Sequence, residues 1–296
     1  MEYPIIRQKA LLGLPLILLF ALSSSCQVTE KEPLRSSQGK LSIGSASIQD
    51  TTQKPSHFDQ QNYADSIRLR ELLDSALTLA GGYIHLNEFI KKYEVTPDDS
   101  SQNFEITIRF GSLFSKNKKH LLIRRRSTSS TYMDLYILKA DKFESVLSRE
   151  QESMSYLRDT IRDVNGDGLK DFLVHWYPSS GCCRRNVYNV YLLRPDNRTF
   201  TKDYEFINPT FFPKEGIIRG VGYGHPGEVE LYKCKWRGLK VDTIEFIYPD
   251  RTDTISRRYF KTKKYRHSSD EITKTIIADV PIEYHRIEDY EWFNDY

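Results

Sequence analysis

From residue 103 onward the apolar residues of this chain recur with a period of two, and that rhythm constrains the fold more than any other feature. In "NFEITIRF" (103–110), Phe104, Ile106, Ile108 and Phe110 alternate with Glu105, Thr107 and Arg109. Successive side chains of a strand point to opposite faces, so this pattern predicts a half-buried strand. The runs "KHLLIRR", "YMDLYILK", "YNVYLLR", "GIIRGVGY", "EVELYKCKW" and "VDTIEFIYP" read the same way. Three longer stretches, "DLYILKADKFESV", "NVYLLRPDNRTFTKD" and "ELYKCKWRGLKVDTI", each join two such runs through Asp, Asn or Gly, as antiparallel hairpins do. The expectation is a mainly β fold: antiparallel hairpins in a propeller-like or sandwich domain over 99–296. Tyr136, Tyr191 and Tyr232 are unevenly spaced, so the echo between the hairpins is no true repeat.

Ahead of the strands the pattern changes. Leu69, Leu72, Leu73, Ala76 and Ala80 recur at helical spacing until Gly81-Gly82, and Leu86, Phe89, Ile90 and Tyr93 repeat it before Pro97. The spacing predicts helices over 64–80 and 85–94, within a helical segment spanning 63–98. Residues 26–62 are rich in Ser, Thr and Gln with neither periodicity, which reads as a flexible tether. A coil of that length averages roughly 30–36 Å end to end.

The first residues form an address. Arg7 and Lys9 precede the short apolar run "ALLGLPLILLFAL", and "SSSC" ends at Cys26. The run falls short of the roughly 20 apolar residues that span a bilayer. Two readings follow: a lipoprotein signal over 1–25 with Cys26 acylated, for instance with palmitate, or an ordinary secretory signal. The first makes the protein exported and lipid-anchored to a bacterial membrane, on its periplasmic or outer face. The chain carries a net charge of +3, which gives no push toward nucleic acid.

"DVNGDGLKD" (163–171) concentrates acid at one bend. Calcium takes roughly six to eight hard oxygens, and alternate side chains of a tight loop converge on one ion. Asp163, Asn165 and Asp167 occupy loop positions 1, 3 and 5, Leu169 offers its backbone carbonyl at position 7, and Asp171 falls at position 9. Gly168 sits at position 6, where the chain turns sharply. Position 12 is Val174 rather than the Glu of an EF-hand, and "DFLVHWY" follows as a strand. The loop is therefore read as a Ca²⁺ site between strands.

This motif resembles the single calcium loop of FG-GAP-type β proteins. The wider run "DVNGDGLKDFLVHWYPSSGCCRRNVYNVYLL", with "NPTFFPKEGIIRG" and "YKCKWRGLKV", is similar to a group of bacterial envelope proteins that includes calcium-binding periplasmic immunity proteins. The resemblance covers roughly 103–250. It implies a propeller-like fold and, for some members, inhibition of lysozyme-like cell-wall hydrolases. It brings calcium ligation to Asp163, Asn165, Asp167, Leu169 and Asp171, and no inhibitory residue.

Cys182, Cys183 and Cys234 are disulfide candidates in an exported chain. Neighbours bridge poorly, so one of the pair joined to Cys234 is expected; a reactive thiol or zinc site is the alternative. "GYGHPG" (222–227) fits GxGxxG by letter, yet a strand-like run follows where the dinucleotide motif needs a helix, so it reads as a turn. No HExxH or GxSxG occurs. The basic runs 116–126 and 257–267 read as solvated faces of edge strands or as a patch for an acidic partner. The acidic, aromatic C-terminus is expected to dock through Trp292 and Phe293. The function so expected is a non-enzymatic, calcium-binding envelope lipoprotein that takes a protein or glycan partner through Arg184 and Arg185. Its rivals are a polysaccharide-acting enzyme using Glu228 and Glu230, and a structural surface component.

Overall fold

The structure is a computed structural model and describes residues 57–96, 103–251, 258–266 and 273–294. The signal segment 1–25, Cys26 and most of the tether lie outside the described residues. Among the described residues, α1 (His57–Gly81) is followed by fifteen antiparallel strands in three sheets. Each sheet is a meander of consecutive strands.

The first sheet holds β1 (Phe89–Val95), β2 (Phe104–Gly111), β3 (His120–Arg126), β4 (Ser130–Lys139) and β5 (Lys142–Glu152). The second holds β6 (Tyr156–Arg162), β7 (Asp171–Trp176), β8 (Val187–Tyr191) and β9 (Tyr204–Ile207). The third holds β10 (Pro209–Phe212), β11 (Ile217–Val221), β12 (Leu231–Arg237), β13 (Lys240–Asp250), β14 (Arg258–Thr262) and β15 (Thr275–Ile277). A short α2 (Tyr290–Asn294) ends the described chain.

The alternation of side chains stacks these sheets face to face. On β3, Leu121 and Ile123 pack beneath Leu69, Ala76 and Ala80 of α1. Leu122 between them turns the other way, with Met133 and Leu135, onto Phe172 and Val174 of β7. Leu173 of β7 and Val190 of β8 face Ile218, Tyr232 and Trp236 of the third sheet. Val221, Leu231 and Ile247, on the far face of that sheet, are covered by Val280, Tyr284, Ile287 and Phe293. The order is helix, sheet, sheet, sheet, C-terminal segment. With both ends capped, the stack is sandwich-like and forms no closed ring among the described residues.

One buried polar contact ties α1 to the first sheet. Arg125 Nη1 donates to the Leu69 carbonyl, Arg125 Nη2 pairs with Asp134 Oδ2 at 2.6 Å, and Ser148 Oγ donates to Asp134 Oδ1 at 2.6 Å. β3 is a central strand with His120 and Arg125 buried, so the edge-strand reading of 116–126 does not hold.

Two further boundaries differ from expectation. The tether does not run to residue 62, because α1 begins at His57; 57–62 contains neither Gly nor Pro, so the helix extends past its apolar stripe. The helix expected over 85–94 is instead β1, with Phe89 opposite Phe110 and Tyr93 opposite Ile106. Phe89, Tyr93 and Val95 satisfy a period of two equally well, and Ile90, which a helix would bury, is 66% exposed. The described part of 63–98 thus holds the remainder of α1 to Gly81, a turn and the edge strand β1, and the sheet begins before residue 99.

Candidate metal loop and neighbouring surface

Arg162 of β6 pairs with Asp171 of β7, so 163–170 forms the connection of a hairpin. Positive φ at Gly166 (82°) and Gly168 (85°) lets the chain wind around its own side chains. Asp163 accepts N–H groups from Gly166 at 2.7 Å and Gly168 at 2.9 Å. Asn165 Oδ1 accepts the Asp167 amide at 3.2 Å, and Asp167 Oδ1 accepts the Leu169 amide at 2.8 Å.

The loop sits where the three sheets meet. Val164 is fully buried in the core shared by the second and third sheets, while Leu169 packs into the core shared by the first and second. The Lys170 amide donates to the Phe114 carbonyl at 3.1 Å, next to the first sheet. Gly166 lies so close to the third sheet that a Cβ there would stand 2.1 Å from the Pro213 carbonyl oxygen.

Asp171 is the buried anchor. Its Oδ2 accepts the Val164 amide and its Oδ1 the Leu193 amide, each at 3.0 Å. Burial pushes its carboxyl up to about 7; the two amides oppose the rise, and the charges of Asp167 and Asp163 add to it.

Asp163, Asn165, Asp167, the Leu169 carbonyl and Asp171 thus form one run of hard oxygens, the donor type that Ca²⁺ takes. Asp163, Asn165 and Asp167 accept loop amides, Asp171 accepts those of Val164 and Leu193, and each accepting oxygen retains a further lone pair. Among the described residues, one group of three His, Cys, Asp or Glu ligand atoms lies mutually within 4.8 Å, and it comprises Cys182, Cys183 and His225 rather than the loop carboxylates.

The expected bridge to Cys234 is not formed. Cys182 and Cys183 are free thiols. Cys234 points into the core between the second and third sheets, beside Ile218 and Trp236, whereas Cys183 Sγ stands 3.9 Å from His225 Nδ1. A hydrogen bond with Cys182 pushes the Cys183 thiol up to about 11, with burial and the Cys182 and Glu228 charges adding to it. His225 lies in "GYGHPG", which is a turn. No spacing rule links it to Cys183, 42 residues earlier, or to its neighbour Cys182; the stacking of sheets does.

Arg184 is committed within the molecule. Its Nη1 reaches Asp289 at 2.6 Å and Glu291 at 2.7 Å, and its guanidinium lies over Trp292. Phe293 is buried and Trp292 packs beside it, so the C-terminus docks as expected. Arg185 lies 4.9 Å over the ring of Tyr223. Tyr177 and Tyr223, each 40% exposed, flank the same loop. Glu228 pairs with Arg251 at 3.0 Å, while Glu230 is buried against Gly222 and raised by that burial. No protein-family model, curated protein or solved structure matches this chain.

Proposed function

We propose that this protein is a non-enzymatic, calcium-braced binding module of the bacterial envelope. Cys26 carries the lipid anchor, and the tether holds the β stack away from the membrane. The observation that carries the reading is the position of the acidic loop at the junction of all three sheets. Ca²⁺ bound there neutralises Asp163, Asp167 and Asp171 and fixes the hairpin that leads into β7 and the following surface loop. That loop, 177–186, is also held from the other side by Arg184 on Asp289 and by Asn208 Nδ2 on the Arg184 carbonyl at 3.1 Å.

A surface fixed in advance loses little freedom on binding. Tyr and Arg dominate binding hot spots, and Tyr177 and Arg185 lie on this loop, with Tyr223 of the β11–β12 connection beneath the Arg185 guanidinium. The contact role therefore falls to Arg185, and Arg184 serves to hold the loop. An Arg guanidinium suits paired carboxylates, which line the clefts of glycan hydrolases. A cell-wall hydrolase is the partner class favoured, supported by the resemblance of the run from Asp163.

The test is affinity capture from envelope extract, with calcium and with chelator, followed by identification of the bound protein and assay of its glycan hydrolysis. Calcium-dependent capture of a hydrolase, inhibited on binding, is expected. An R185A/Y223A double variant should lose about tenfold or more in affinity. Undiminished capture by that variant contradicts the contact surface. Turnover of a glycan by the purified protein contradicts the non-enzymatic reading.

A further inference from the structure

We infer that Cys182, Cys183 and His225 form a binding site for one soft divalent cation of the zinc class, held by two thiolates and one imidazole. This rests on those three side chains and needs neither calcium at the acidic loop nor a bound partner, although Cys182 and Cys183 lie in the same 177–186 loop.

Donor chemistry comes first. Two sulfurs and one imidazole nitrogen suit zinc-class ions and are foreign to calcium and magnesium, which take oxygen. Spacing comes second. In a tetrahedral zinc site, with Zn–S near 2.3 Å and Zn–N near 2.0–2.1 Å, neighbouring ligand atoms stand about 3.3–3.8 Å apart. The three ligand atoms here already lie mutually within 4.8 Å, and Cys183 Sγ is 3.9 Å from His225 Nδ1. Closing around an ion requires shifts of a few tenths of an ångström to about one ångström.

Preorganisation comes third. Tyr177 Oη donates to the Cys183 carbonyl at 3.3 Å. On the other strand-end, Trp292 Nε1 donates to the Gly224 carbonyl at 3.0 Å, and the Glu228 amide to the His225 carbonyl at 3.1 Å. The bend at Cys182–Cys183 belongs to the second sheet's β7–β8 connection, and His225 to the third sheet's β11–β12 connection. An ion at this point would clip the two sheets together at the surface. Cys182 and His225 are exposed, so the fourth coordination position faces solvent. Three protein ligands with one open position is the pattern of zinc sites that bind a further group.

The experiment uses the full-length chain in detergent, kept reduced with a phosphine, with excess Ca²⁺ to occupy hard-oxygen sites. Zn²⁺ is titrated against a chromophoric chelator, and bound metal is counted after gel filtration. One zinc per chain is expected, and Co²⁺ in its place should give a thiolate charge-transfer absorption. C182S and H225A, both at exposed positions, should each weaken zinc about 10- to 100-fold and diminish or shift the cobalt band, while C234S and D163A leave both intact. Absence of bound zinc in a chain whose thiols titrate as reduced overturns the inference. So does zinc binding that is unchanged in C182S and H225A.

Discussion

Asp171 Oδ1 accepts the backbone N–H of Leu193 at 3.0 Å, a contact across 22 residues that joins the start of β7 to the chain leaving β8. Its other oxygen holds the Val164 amide, so one buried carboxyl secures both the acidic loop and the second sheet. Asp171→Ala leaves two buried N–H groups without partners, at about 1–3 kcal/mol each. Urea unfolding should show that loss.

The same carboxyl makes stability depend on pH when calcium is absent. Its folded pKa, about 7, stands above its ordinary value of 3.8. The folded state therefore binds more protons between those values, and this contribution, fully present below 3.8, is lost as pH rises through about 7. In chelator the melting temperature should fall from about pH 4 to about pH 7 and level off above that. Saturating calcium favours the carboxylate and should flatten that slope, and Asp171→Asn should remove it.

Gly166 and Gly168 share a positive φ yet differ in surroundings. A Cβ at Gly166 meets the Pro213 carbonyl, while one at Gly168 meets nothing within 4 Å. Gly168→Ala should cost about 1–2 kcal/mol, the left-handed strain alone. Gly166→Ala adds overpacking of about 1–3 kcal/mol. Equal costs in denaturant unfolding would contradict the docking of the loop on the third sheet.

Arg125 and Asp134 are both buried, at 5% and 4% exposure. Asp134→Ala strands the guanidinium without its partner and should cost about 3–5 kcal/mol. The double variant Arg125→Met, Asp134→Leu removes both charges and should cost less than the single change. A double-mutant cycle by chemical denaturation checks the order.

Cys26→Ser should lose fatty-acid labelling and leave the membrane fraction. Detergent-resistant membrane association of that variant would remove the lipid anchor from the account.

The strands were legible where alternation was regular, as in Phe104, Ile106, Ile108 and Phe110, because one buried face imposes period two. β1 is ambiguous in the sequence because Phe89 and Tyr93 fit both periods, and only the ladder to β2 decides between them. The turn at 163–171 and the strand after it are readable from the glycines, acids and "DFLVHWY", whereas the register is set by the ladder between β6 and β7. The inward role of Asp171 is not readable, since it depends on the Leu193 amide arriving from another strand. Likewise Arg184 looked available until Asp289 and Glu291, more than a hundred residues later, folded onto it. The triad with His225 required two sheets to stack.

The central claim is that the acidic loop takes calcium and thereby braces the junction of three sheets. Calorimetric titration of the purified chain with Ca²⁺, paired with thermal denaturation, tests it most directly. One Ca²⁺ per chain is expected, with about 2.7 kcal/mol of added stability at one hundred times the dissociation constant, and both are lost in Asp167→Ala. No heat of binding, with equal melting in calcium and in chelator, would contradict it.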